Sequence, residues 1–131
     1  MLIHFPIALF IAALGFEVAS VILRKEKLHQ TAFSLYVLAA LVSPVVVQTG
    51  LWEEDALRIH HPILEIHETF ALLTMWGALA SLPIFWLVKK KKPAFFRRVF
   101  IFFTLLIAAT VTIAAYNGGK MVFEYGIGTE Q

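Results

Sequence analysis

Four apolar stretches, residues 3–23, 32–52, 63–88 and 95–116, divide the chain, with short polar connectors between them. Each is close to the roughly 20 residues that an α-helix needs to cross the hydrocarbon of a bilayer. In hydrocarbon every backbone N–H and C=O needs an internal partner, so these stretches are expected to be helices. A soluble bundle would carry a polar face on every segment, yet the first and fourth run almost without charge. The pattern predicts an all-α membrane protein, a four-transmembrane-helix up-down bundle forming one domain over residues 1–131.

The connectors give an orientation. Arg24, Lys25 and Lys27 follow the first stretch, and Lys89, Lys90, Lys91, Lys92, Arg97 and Arg98 follow the third, so nine of the eleven basic residues share one side. The positive-inside rule assigns that side to the cytoplasm and places both termini outside. The opposite side holds Arg58, Lys120 and most of the acids: Glu53, Glu54, Asp55, Glu65, Glu68, Glu124 and Glu130. The first stretch has no basic segment before it and is read as a retained helix rather than a secretory signal. The expected location is the bacterial inner membrane.

Composition narrows the chemistry. The chain is 60% hydrophobic with 15% charged residues, against about 45–50% and about 25% for soluble domains. It has no cysteine, which excludes disulfides, iron–sulfur ligation and thioether-attached haem. No nucleophilic triad or phosphate loop supports hydrolysis or phosphoryl transfer, and nothing points to nucleic acid. Trp52, Trp86, Tyr116 and Tyr125 fall where an aromatic belt would lie. Pro6 and Pro62 suit first helical turns, Pro44 and Pro83 suit kinks, and Gly118 with Gly119 suits the close of the fourth helix.

Five histidines are the candidate chemistry: His4, His29, His60, His61 and His67. In an up-down bundle the first and third helices lie diagonally across the core, which would set His4 and His67 at similar depth on opposite walls. One haem b with two axial histidines needs such a clamp and an apolar slot below it. The stripe under His67 is Ala71, Thr74, Ala78 and Ser81, and that under His4 includes Ala8, Ile11, Ala12 and Gly15. Small stripes also serve plain helix packing. His60 or His61 is the substitute ligand, and Arg58 or Lys120 would neutralise the propionates, with Arg58 favoured for its planar fork.

Other readings use the same residues. His60, His61, His67, Glu65 and Glu68 offer nitrogen and oxygen donors for a divalent metal, without an H-E-x-x-H spacing. Interfacial histidines wetted by headgroups are the plain alternative. His29 is expected to be a loop residue. Glu17 lies deep in the first helix, where an ionisable group is costly, and is expected either to function there or to snorkel toward Arg24. It is 13 positions from His4, about 140° around an ideal helix. Gln48 and Thr49 could hydrogen-bond a ligand or another helix.

The opening I-H-F-P-I-A-L at 3–9, Thr49–Gly50, His67, and the closing G-G-K-M-V-F-E-Y-G-I-G at 118–128 carry a resemblance over essentially the whole chain. The sequence resembles a bacterial family of predicted four-span membrane proteins of unknown function. Members are similar in being encoded with, or fused to, c-type cytochrome or Rieske-like modules, which implies an electron-transfer setting. The resemblance supplies no catalytic residues. Taken with the histidine clamp, the expected function is a membrane-embedded b-type cytochrome subunit passing electrons between quinone or another membrane donor and outer-face carriers, with c-type cytochrome or iron–sulfur partners and lipid around it. A structural subunit anchoring a periplasmic redox partner, or a metal or ion transporter using Glu17 and the His/Glu cluster, stands beside it. The segment 121–128 is apolar enough to be expected to dock on something.

Overall fold

A computed structural model describes residues 4–58 and 60–127 of the chain, so Ile3, Gly128 and Glu130 lie outside the described residues. Those residues form four α-helices: α1 (His4–Leu23), α2 (Glu26–Leu57), α3 (Pro62–Lys91) and α4 (Pro93–Phe123). All four are long and apolar enough to cross a membrane. α2, α3 and α4 outrun the apolar stretches that announce them. With 32 residues α2 is about 48 Å long at 1.5 Å per residue, whereas the hydrocarbon is about 30 Å thick. Their polar ends therefore stand in the interfacial layers.

Tight connections set the topology. Only Arg24 and Lys25 separate α1 from α2, and only Lys92 separates α3 from α4. Arg24 takes a left-handed backbone (φ 52°) that ends α1, and Lys25 is extended (φ −107°, ψ 110°) before α2 begins. Connections this short force antiparallel neighbours. Two hairpins result, α1/α2 and α3/α4, each packed along its length, and they meet along narrower seams, α1 on α4 and α2 on α3. One end of the bundle carries residues 24–27 and 89–98 and is basic; the other carries residues 53–68 and 117–127 and is mostly acidic.

The core sits in the basic half and is aromatic. Phe10, Tyr36, Phe85 and Phe100 are almost fully buried. Tyr36 touches the other three edge-on, with ring centroids 5.5 Å from Phe10, 5.4 Å from Phe85 and 5.6 Å from Phe100. Its hydroxyl lies 2.8 Å from the Ser81 hydroxyl, which donates to the Ala78 carbonyl across 2.6 Å. Aromatic edges interlock here, and a phenol without that partner would be costly in a dry interior. The outer surface is apolar as well: Val45 is 62% exposed, Phe102 61% and Leu41 60%. In a water-soluble bundle these would be liabilities; against lipid they are the expected finish.

Pro44 leaves no break in α2. A proline nitrogen cannot donate to the carbonyl four residues back, and the Ser43 hydroxyl takes that role, donating to Ala40 O across 2.9 Å. Gly118 and Gly119 do not close α4, which runs on to Phe123. Gly118 is instead a point of close approach: a Cβ there would fall 3.1 Å from Cε1 of His67. A Cβ at Gly119 would meet nothing within 4 Å.

Candidate functional site

The densest polar chemistry lies inside the basic end. The buried stripe of α1 is Pro6, Phe10, Ala13, Glu17 and Ser20, the three-and-four spacing of a helix face. That stripe turns Glu17 inward, and the residue is 2% exposed. The neighbouring helices answer its charge. His29, on α2, donates from Nδ1 to Glu17 Oε2 across 2.6 Å. Arg97, on α4, donates from Nε to Glu17 Oε1 across 3.2 Å, and its terminal amino group donates to the Ser20 hydroxyl. Ser20 in turn donates to the Glu17 carbonyl across 2.8 Å. Both carboxylate oxygens are engaged, and three helices are tied at one point. Among the described residues no buried side-chain nitrogen or oxygen lacks a hydrogen-bond partner.

This corrects two expectations. His29 is not a loop residue, because α2 begins at Glu26, six residues before its apolar stretch. It is 7% exposed and sits edge-on to Phe100 with centroids 5.4 Å apart. Nor does Glu17 snorkel toward Arg24, since its partners are His29 and Arg97. Arg97, one of the nine basic residues on this side, is 37% exposed at its side chain and also lies 3.9 Å from Glu26. A buried carboxylate demands a donor at the same depth. That demand was the available signal.

The acidic end arranges the remaining histidines separately. His67 lies on the α3/α4 seam, where its Nδ1–H donates to the Ala114 carbonyl across 2.7 Å. The carbonyl can only accept, so Nδ1 carries a proton. His61 precedes α3 and caps it: its Nδ1 accepts from the Ile63 N–H across 3.2 Å, and its ring stands 4.5 Å from that of Tyr125. His60 is exposed in the connector. Among the described residues, no three His, Asp or Glu are grouped to hold a metal ion. Arg58 is exposed and ends α2 in a left-handed conformation (φ 51°). Lys120 lies 3.5 Å from Glu124 and over the Tyr116 ring. Thr49 donates to its own helix at Val46 O across 2.8 Å, and Gln48 is exposed.

A haem between His4 and His67 of one chain does not fit this arrangement. His4, Ala8, Ile11 and Gly15 are all exposed. Because Glu17 faces the core, a residue about 140° around the helix from it faces away. The stripe under His67 does turn inward, but it is already filled. Thr74 donates within its helix to Phe70 O and reaches Thr110 on α4 across 2.9 Å, Ala78 is fully buried, and Ser81 holds Tyr36.

Four antiparallel apolar helices around a satisfied buried ion cluster define a polytopic α-helical membrane protein. Over its whole length, residues 1–131, the chain matches the family described as "Predicted membrane protein (DUF2231)", and it belongs to that family. No curated protein and no solved structure matches it.

Proposed function

We propose that this chain is a membrane subunit whose acidic end docks a partner protein of an electron-transfer assembly. The observation that supports it is the end of α4. The helix continues past its two glycines and presents Phe123 at 90% exposure. The following turn is fixed: Ile127 N–H donates to Met121 O across 2.9 Å, and Tyr125 packs on His61. An exposed aromatic on an ordered backbone is the usual anchor of a protein interface. The acids around it, Glu53, Glu54, Asp55, Glu65, Glu68 and Glu124, outnumber Arg58 and Lys120. They favour a partner that sets a basic rim around an apolar pocket. The electron-transfer setting is the one that the sequence resemblance implies, through proteins encoded with c-type cytochrome or Rieske-like modules. By the positive-inside rule this end would face outside the cytoplasm, which suits such a partner.

A photo-crosslinking residue in place of Phe123, in membranes of the native host, tests the proposal. The expected product is an adduct with a protein carrying haem c or an iron–sulfur cluster, suppressed when Tyr125→Ala loosens the turn. Adducts with lipid alone would make Phe123 an interfacial anchor and overturn the proposal. A b-type α band in the purified chain, lost in His67→Ala, would return the chain itself to the carriers.

A further inference from the structure

At the basic end α1 and α4 leave an open groove of about 450 Å³ between them. It is lined by three arginines, Arg24, Arg97 and Arg98, by one acid, Glu26, and by the apolar residues Val21, Ala94 and Ile101. Arg97 is fixed there by Glu17 and Ser20. Arg24 is itself the left-handed residue that ends α1, and Arg98 lies in the second turn of α4. Arg24 and Arg98 are both exposed, and among the described residues neither has an ion-pair or hydrogen-bond partner.

We infer that this groove binds the phosphate headgroup of an anionic phospholipid, with an acyl chain running down Val21 and Ile101. Guanidinium forks match phosphate oxygens in pairs, and two of the three here are uncommitted. The apolar wall supplies the second half of the match. Val21 is 52% exposed, and Val18, one turn further into the membrane on the same helix, is 48% exposed. Free phosphate offers the same oxygens but gains nothing from that wall. The lysines at 89–92 lie outside the groove and contribute only the diffuse attraction of any basic membrane face.

The test is native mass spectrometry of the full chain in mild detergent, titrated with phosphatidylglycerol, phosphatidylcholine or inorganic phosphate. The wild type is expected to hold one phosphatidylglycerol at least tenfold more tightly than phosphatidylcholine. Arg24→Gln with Arg98→Gln should remove roughly tenfold or more of that preference, since each basic residue near an anionic headgroup contributes severalfold. Glu26→Gln should act in the opposite direction and tighten binding, which keeps the test informative if the arginine variants prove unstable. Equal binding of the two lipids, or an unchanged preference in the double variant, would overturn the site. Inorganic phosphate binding as tightly as phosphatidylglycerol would overturn its assignment to a lipid.

Discussion

Arg97→Gln should destabilise the bundle by more than its half-exposed position suggests. The substitution keeps much of the stem but removes the charge that neutralises Glu17, leaving a 2% exposed carboxylate with His29 as its remaining side-chain donor. Breaking a fully buried ion pair by deleting one partner costs about 3–5 kcal/mol. Here the figure must be discounted, because the Arg97 side chain is 37% exposed and water reaches part of the space it leaves. We expect about 1–3 kcal/mol, between the exposed and buried limits. Glu17→Gln with Arg97→Gln should recover at least half of that loss, because no unpaired charge is then left inside. Unfolding in detergent by dodecyl sulfate titration, followed by tryptophan fluorescence, reads Arg97→Gln, Glu17→Gln and the double variant and closes the double-mutant cycle. A loss under 0.5 kcal/mol for Arg97→Gln, or strictly additive single effects, would refute a buried Glu17–Arg97 pair.

Two other outcomes follow from the geometry. Gly118→Ala should cost about 1 kcal/mol or more by pushing the His67 ring off Ala114, while Gly119→Ala, with nothing within 4 Å, should be neutral or stabilising by about 0.5–1 kcal/mol. Thermal unfolding of the two variants in one detergent makes the comparison, and equal effects would refute the close approach. Cysteines introduced at positions 90 and 125 should be labelled by an impermeant maleimide from opposite sides, position 125 from outside intact cells; labelling of position 90 from outside would reverse the orientation.

The number and type of the helices were legible because lipid leaves the backbone so few alternatives. Their ends were less so. Hydropathy falls as soon as charge begins, yet a helix continues through charged interfacial residues, which is why 32–52 becomes Glu26–Leu57 and brings His29 indoors. The angular relation between His4 and Glu17 was also legible; which of the two faces the core was not. The spacing of a lone pair fixes a difference in direction and no absolute direction. The buried stripe decides it, because Phe10 and Ala13 belong to the core, Ser20 is buried beside Arg97, and Glu17 travels with them. Arg97 was hidden among nine basic residues that all satisfied the orientation rule. Nothing in that rule separates a charge turned outward from one turned in.

The two-hairpin construction sorts the buried cluster by order of synthesis. Glu17 and His29 belong to the first hairpin, whereas Arg97 belongs to the second. The first pair of helices therefore brings its own donor for the acid and need not wait in the bilayer with a bare carboxylate. When α4 arrives, its guanidinium meets a site already half assembled and also reaches Ser20 on the same helix face. In the finished bundle, then, the acid and its first donor lie within one hairpin, and the charge that fastens the second hairpin to the first is Arg97's.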